Sequence, residues 1–258
     1  MSRPYQPQLP VELLDYITDH LHDSRDALES CCLVSKSWIP RTRNHLFADI
    51  KFRTTGALRA WKNAFPDPST SLACYANSLL VFCPQVVVGA DVREDSWIST
   101  FSSVVRFKIV GSPPSLVPLH GFSLVLTHLH LSLWDFRPSQ ILNLIYSFPL
   151  LEYVSVECFG TPSADDDDGG LPTTIQPRRS PTLTGTLELS MWRGMDPVAT
   201  RLLSLPNGLH FRNLDLTLHR EADHLLTTAL VEECCLTLES LRIDGRFCTS
   251  VQAVCPLL

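Results

Sequence analysis

One pattern of apolar positions recurs along the chain after residue 75: an apolar residue, two spacers, an apolar residue, one spacer and a third apolar residue. The copies, of which the first and the fifth are weaker, are Ala76-Leu79-Val81, Val104-Phe107-Ile109, Leu126-Leu129-Leu131, Leu151-Val154-Val156, Thr184-Leu187-Leu189, Phe211-Leu214-Leu216 and Leu238-Leu241-Ile243. The second and third positions alternate as in a β-strand, so they are predicted to face inward. Successive copies lie 22 to 33 residues apart, which indicates a structural repeat.

Helical patterns occupy several of the intervals between these copies. Apolar residues recur at spacings of three and four in residues 139–148 and 221–235. Asp196 and Pro197 predict the start of another helix, as its cap and its first-turn residue. A strand and a helix roughly every 25 residues make one unit of a solenoid, so we expect an α/β solenoid in residues 51–258.

This arrangement resembles the leucine-rich repeat family in an irregular form. Such repeats usually place an Asn or Cys shortly after the strand, where it bonds free backbone groups. The corresponding positions here are Ser112, Trp134, Phe159, Trp192, His219 and Arg246. Because no Asn ladder is present, we expect uneven curvature, and we expect Trp134 and Trp192 to stack in the core on the next repeat.

Residues between the inward positions are predicted to point away from the core, on the concave face that the strands of a solenoid line. On this face we predict contacts with a target protein by Arg106, Lys108, His128, His130, Tyr153, Glu188, Asp215 and Arg242. The early copies carry basic or His side chains and the middle copies carry acidic ones, a gradient suited to a protein partner. His128 and His130 share a face, but without a third ligand they do not predict a metal site.

Helix signals are dense from residue 9 onward. Pro10 is predicted at the first helical position, where its missing N–H costs nothing, and Glu12 suits the positive end of that helix. Leu13 and Ile17 continue an apolar stripe along it.

Two further short helices are predicted before residue 50. Asp26 and Glu29 have the spacing of a capping box that opens the second. Pro40 fits a helix only in the first turn, so the third is predicted to start near Trp38. Three helices in so few residues cannot bury all of their apolar surface alone, so they need a partner, a following domain or both.

The segment from Leu9 to Trp38 resembles an F-box. The matching elements are Leu-Pro-Val-Glu at residues 9–12, Ile17 and Leu21, and Leu-Val-Ser-Lys-Ser-Trp at residues 33–38. This resemblance implies that residues 9–50 bind a Skp-type adaptor, which bridges to a cullin scaffold. It assigns the adaptor contacts to Leu9, Pro10, Glu12, Leu13, Ile17, Leu33, Val34, Ser35 and Trp38.

Residues 160–182 interrupt the repeats with glycines, prolines and the run Asp165–Asp168. This composition predicts a solvated loop insertion. Two sharper alternatives stay open. Ser163 is followed by acids, as acidophilic kinases prefer, and the acidic run suits a basic partner.

Composition excludes several classes of function. A net charge of −6 and a pI of about 5.8 argue against nucleic-acid binding. The first residues lack the apolar region of a signal peptide, and the longest apolar stretch, 79–90, is too short to cross a membrane. We therefore expect a cytoplasmic or nuclear protein. Its nine cysteines show no metal-site spacing and are interpreted as small buried hydrophobic residues.

No phosphate-binding loop, nucleophile elbow or zinc-protease motif is present in the sequence, so we expect no catalysis, cofactor or metal. The last residues, 254–258, resemble the start of another repeat at 148–151, which predicts a truncated product, a fragment or an end covered by a partner. We expect an exposed apolar edge at Leu257 and Leu258.

Two hypotheses follow. The first is a substrate-receptor subunit of an SCF-type cullin-RING ubiquitin ligase, in which the helices bind the adaptor and the repeats bind a target. The second is a non-enzymatic repeat scaffold for protein interaction, whose helices only cap the solenoid. Exposure of Leu9, Pro10 and Trp38 favours the first hypothesis, and their burial against residues 50–110 favours the second.

Overall fold

The computed structural model describes residues 9–67, 70–83, 98–112, 119, 122–134, 137–160, 183–191, 196–205, 208–220 and 223–245. Within these residues the fold is α/β, with seven α-helices and one eight-stranded parallel sheet. The helices are α1 (Val11–His20), α2 (Arg25–Val34), α3 (Ile39–Leu46), α4 (Thr55–Ala64), α5 (Pro138–Tyr146), α6 (Asp196–Leu203) and α7 (Asp223–Cys234). The strands are β1 (Asp49–Phe52), β2 (Ser78–Cys83), β3 (Arg106–Gly111), β4 (His128–Leu133), β5 (Tyr153–Cys158), β6 (Thr184–Met191), β7 (His210–Leu218) and β8 (Ser240–Gly245).

The strands are ordered in the sheet as they are in the sequence, from β1 to β8. The alignment of the apolar repeats is confirmed by the register, because the second position of each copy pairs with that of the next. This inward column is Leu79, Phe107, Leu129, Val154, Leu187, Leu214 and Leu241. Its members are buried up to Leu214, whereas Leu241 is half-buried because β8 is the last described strand of the sheet.

The start of each early strand is held by one repeated hydrogen-bond pattern. Two consecutive N–H groups donate to a single carbonyl one residue before the preceding strand. The acceptors are the carbonyls of Ala48, Asn77, Val105 and Thr127, at distances of 2.9–3.0 Å. Because one carbonyl accepts both hydrogen bonds, both N–H groups are satisfied at a position before the regular hydrogen-bond ladder of the sheet begins. The pattern fixes the register from the first residue of each strand.

The helices expected between the later strands are present as α5, α6 and α7. The helix α6 contacts both α5 and α7, so the three lie side by side in sequence order, as the strands do. Apolar residues on the inner faces of these helices, such as Ile141 and Leu230, are buried in the same core as the strands.

A recurring aromatic turn precedes three strands. Phe101, Phe122 and Phe148 are buried, and the N–H of each donates to the carbonyl three residues earlier. The ring of Phe122 lies 6.4 Å from that of Phe148 and 4.9 Å from that of Phe107. Such contacts add to the area that each ring buries. They bind successive units together in a chain without an Asn ladder.

The sequence patterns missed three elements between residues 48 and 76. The strand β1 pairs with β2 and buries Ile50 and Phe52. It therefore crosses residue 50, where we expected the helical segment to end and the solenoid to begin. The helix α4 has no buried residue, although its Trp61 packs against the core beside Phe52. A 3₁₀ helix covers Leu72–Tyr75. The sequence did not predict β1, because a segment of four residues is too short to show a clear alternation of apolar and polar positions.

The helices α1, α2 and α3 bury a small set of side chains outside the main core: Leu14, Thr18, Leu28, Cys31 and Thr42. The three predicted helices are present, with Pro40 in the first turn of α3 as expected. Two local expectations were wrong. Pro10 caps α1 from outside and accepts hydrogen bonds at its carbonyl from Leu13 and Leu14. The capping box of α2 does not form, because the Glu29 carboxylate instead accepts a hydrogen bond from Arg25.

Two further expectations need correction. Trp134 does not stack inside the core: its side chain is 37% exposed, and its ring meets that of Phe82 at 6.4 Å. Among the cysteines whose side chains are described, Cys31, Cys158 and Cys234 are buried, but Cys74 and Cys235 are exposed. Burial raises the pKa of the Cys158 thiol, as expected for an inert cysteine.

Several sequence expectations lie outside the described residues. They concern Trp192, the acidic segment 161–182 with Ser163, and the chain end with Leu257 and Leu258. None of the described helices is both long and apolar enough to cross a membrane.

We expect Leu129→Ala to lower the free energy of unfolding by about 2–5 kcal/mol, since it leaves a cavity in the centre of the inward column. Leu124→Ala is the matched control, because Leu124 is exposed; we expect a change within about 0.5 kcal/mol. Urea unfolding followed by circular dichroism measures both. Equal losses for the two variants would contradict the assignment of Leu129 to the core.

Candidate functional site

An exposed apolar surface covers the first two helices. We define the apolar helix surface as Leu9, Val11, Leu13, Ile17, Leu33 and Val34. These side chains are between 38% and 88% exposed, with Leu33 the most exposed of the six. Single exposed apolar residues are normal on proteins, but a group of them marks an interaction site.

The exposure arises because α1 and α2 each carry apolar residues on two faces. In α1, Leu14 and Thr18 face the small core, while Leu13 and Ile17 lie about 100° around the helix from them and are exposed. A helix that buries one apolar stripe usually presents polar residues elsewhere. Leu13 and Ile17 instead leave 49% and 38% of their surface uncovered by the described residues.

The other sequence-predicted adaptor contacts lie near this surface in the sequence. Pro10 and Glu12 are exposed at the start of α1, and Ser35 is exposed at the end of α2. The Ser35 hydroxyl lies 3.0 Å from the Ser37 hydroxyl, which holds the turn into α3. Trp38 caps α3 and is half-buried, less exposed than Leu9 and Pro10.

A three-residue charge cluster fixes α1 against α3. Arg41 donates from Nε and Nη2 to the two carboxylate oxygens of Asp19, both at 2.6 Å. His45 Nε2 lies 2.7 Å from Asp19 Oδ1. The hydrogen bonds from Arg41, and then those from His45, hold the pKa of Asp19 far below its usual range. This bidentate geometry is the strongest form of a carboxylate ion pair.

We expect Asp19→Asn to lower the urea midpoint at pH 7. The folded-state pKa of Asp19 is depressed, so its contribution to stability is complete above the unfolded pKa of about 3.9 and declines as the pH falls below it. The difference between wild type and variant should therefore narrow from pH 7 to pH 3. Asp26→Asn is the control, because the exposed Asp26 side chain forms no ion pair within the described residues. A difference in urea midpoint that stays constant from pH 7 to pH 3 would contradict the stabilising role of the ionised Asp19.

The polar strand face is the second candidate surface, and we define it by the outward residues of β3 to β8. The register confirms the sequence-predicted rows, since Arg106, His128 and Tyr153 are successive Cα partners. Lys108, His130, Ser155, Glu188, Asp215 and Arg242 form the next row. Basic and His side chains thus lie on β3 and β4, and carboxylates follow on β5 to β8.

Not every outward position is open to solvent. Ser132 and Ser155 are buried although strand alternation places them on this face. Their small side chains therefore lie beneath the surface of the polar strand face.

Charges on this face perturb one another. Burial and the nearby Lys108 lower the pKa of His130, whose buried Nε2 makes no hydrogen bond and lies 3.7 Å from Glu157. Burial and a hydrogen bond with Glu188 raise the pKa of Tyr153. At neutral pH His130 is therefore uncharged, and Arg106 and Lys108 carry the positive charge of β3.

A cleft of about 440 Å³ opens where strands β4 to β7 begin. The rings of His128 and Tyr153 stack on one side, with centroids 5.5 Å apart. Arg212 lines the other side. A bulge places it there, because Gly185 pairs with Phe211 and Thr186 with Asn213, which leaves Arg212 without a partner in the ladder. Bulges commonly redirect a side chain in this way.

Gly185 is required by the close approach of β6 to β5. Its φ is +100°, and a Cβ at this position would lie 2.0 Å from the carbonyl oxygen of Glu152. That oxygen accepts the Thr186 N–H at 2.8 Å. The sequence interpretation missed this cleft. A glycine inside the strand pattern at 184–189 was the one signal of a bulge.

We expect Gly185→Ala to destabilise the fold by about 2–4 kcal/mol, since the backbone must move to admit the methyl group. Gly56→Ala is a control for which we expect no loss of stability. Its new Cβ meets only the Thr54 hydroxyl, at 3.7 Å, and alanine favours the helix, so stability should stay equal or rise by up to about 1 kcal/mol. Thermal unfolding of both variants measures the contrast. A Gly185→Ala protein as stable as wild type would remove the proposed constraint.

Within the described residues, no group of three or more His, Cys, Asp or Glu side chains is arranged to hold a metal ion. A scan against protein-family models and a search of curated proteins find no match for this chain. The evidence that the two surfaces are functional is therefore the geometry of the described residues.

Proposed function

We propose that this chain is the substrate-recognition subunit of an SCF-type cullin-RING ubiquitin ligase. In this proposal, residues 9–47 are an F-box that binds a Skp-type adaptor, and the parallel sheet with its helices is an irregular leucine-rich-repeat-like solenoid that binds a target. The chain performs no chemistry of its own. It brings target lysines close to a ubiquitin-charged enzyme, and such proximity alone accelerates a reaction.

The observation that carries the proposal is the apolar helix surface. Most of the positions that resemble F-box adaptor contacts have exposed side chains, including Leu9, Pro10, Leu13, Ile17 and Leu33. Burying one leucine-sized side chain on a partner contributes about 1.5–3 kcal/mol. Several such side chains supply enough affinity for a stable complex once the cost of association is met.

The rival function, a scaffold whose helices only cap the sheet, receives less support. In that case Leu9, Pro10 and Trp38 would be buried against residues 50–110, whereas Leu9 and Pro10 are exposed and Trp38 is half-buried. Contact between α1–α3 and the rest of the chain runs instead through α3 and the 3₁₀ helix, with Phe47 packed against the main core. Within the described residues, the exposed side chains of α1 and α2 have no cover.

The sequential parallel sheet supports the repeat half of the proposal. Each unit adds one strand beside the previous one, with apolar residues inward and variable polar residues outward. A surface built in this way can vary its charges without loss of the core. The polar strand face is therefore our candidate for the target-binding surface.

Co-purification with a Skp-type adaptor tests the proposal. We expect wild type to capture the adaptor, and we expect Leu9→Ala combined with Pro10→Ala to weaken capture about tenfold or more, since two side chains lose contact area.

The matched control is Leu236→Ala, which truncates a leucine that is 96% exposed just after α7. Circular dichroism establishes that all variants are folded. Failure of folded wild type to bind the adaptor would remove the ligase function. Equal binding by the double variant and the control would show that the apolar helix surface is not the docking site.

A further inference from the structure

The polar strand face separates its charges along the direction that crosses the strands. Arg106 and Lys108 lie on β3, and neither forms an ion pair within the described part of the chain. Arg106 is exposed and Lys108 half-buried, so both can reach a bound partner. This end of the face is positive.

At the opposite end of the face, on β6 to β8, carboxylates outnumber the cations that could pair with them. Glu188, Asp215 and Asp244 lie on β6, β7 and β8, together with the outward Arg242 on β8. Arg212 near the start of β7 is also exposed, and its Nε lies 3.8 Å from Glu239. Arg242 Nη1 is 3.5 Å from Asp215. Burial and the carboxylates of Glu188 and Asp244 nevertheless raise the pKa of Asp215. A cation brought by a partner would relieve this repulsion.

The middle of the face, on β4 and β5, has Glu157 as its one carboxylate and no Lys or Arg. Ser132 and Ser155 are buried there, and His130 is uncharged at neutral pH for the reasons given above. A chain that crosses the strands over either serine meets a short side chain at that position.

The separated positive and negative side chains favour a ligand that carries both positive and negative charges. Nucleic acids and acidic membrane surfaces present negative charge throughout, so the acids of β6 to β8 would repel them. A protein segment can carry either sign at a chosen position. Four strand spacings of about 4.8 Å separate β3 from β7, which makes roughly 19 Å. An extended segment covers that distance with about six residues.

We propose that the polar strand face binds an extended segment of the target protein that crosses the strands, with acidic side chains over β3 and basic side chains over β6 and β7, about six residues apart. The inference rests on the proposed function only in taking this face as the target-binding surface. It names the charge order of the segment that the face accepts.

The test uses the full chain and two labelled synthetic peptides of identical composition and zero net charge. One has two Asp at one end and two Lys at the other, separated by four Ser, and the other has the same charges interleaved. By fluorescence anisotropy in about 0.01 M salt, we expect the separated peptide to bind about fivefold more tightly. The preference should vanish in about 1 M salt, where the Debye length is about 3 Å.

A double variant locates the site. Arg106→Glu with Lys108→Glu replaces the positive charge of β3 with negative charge, so the variant should lose the preference and bind a peptide with Lys at both ends more tightly than wild type does. Arg43→Glu with Arg59→Glu is the control, because it makes the same change in charge on exposed residues of α3 and α4. We expect this control to keep the wild-type preference.

Three results would overturn the inference: no binding of either peptide, equal binding of both by wild type, or an unchanged preference in the Arg106 and Lys108 variant. Adaptor capture by the same preparations reports on the apolar helix surface alone. A failed peptide test with intact capture would leave the proposed docking function standing. Failed capture with intact peptide binding would remove the ligase function and leave a protein-binding face.

Discussion

The structure depends on the burial of one column of apolar side chains across an in-register parallel sheet. Each strand from β2 to β8 contributes one member, from Leu79 to Leu241, and each member packs against the same position of its neighbours. A shift of one residue in any strand would turn its apolar residues to solvent and its charges inward. The column therefore determines the register, and the register determines which side chains share the polar strand face.

The column does not extend into the first three helices. Those helices bury Leu14, Leu28 and Cys31 in a small set outside the main core, and the Asp19 cluster with Arg41 and His45 supplies a directional link between α1 and α3. So small a core leaves apolar side chains exposed. The same constraint that limits the stability of this segment thus creates the surface on which a partner can dock.

The two candidate surfaces differ in physical character. The apolar helix surface favours affinity through burial of leucine-sized side chains, with little demand for exact charge placement. The polar strand face favours selectivity, because unmatched charges of either sign penalise a wrong partner by more than they reward a right one. The proposed receptor function would use these two properties on separate surfaces.

The periodicity of apolar residues determined more of this protein than any single motif. It predicted the strands β2 to β8, their register and the outward rows, because alternation in a strand requires only that one face be buried and the other not. The helices α5 to α7 followed from spacings of three and four, and α1 to α3 from Pro10, Pro40 and the apolar residues between them. The F-box and leucine-rich-repeat resemblances remain expectations that binding measurements must decide.

Tertiary structure alone decided the rest, because the remaining features join residues far apart in sequence. Asp19 meets Arg41 and His45 only when α1 and α3 pack together. Trp134 is exposed and Ser155 is buried, although strand alternation and repeat position predicted the reverse for both. The position of Arg212 depends on one bulge opposite Gly185. Local patterns specify which face of an element is apolar, whereas the neighbours that cover it are chosen by packing.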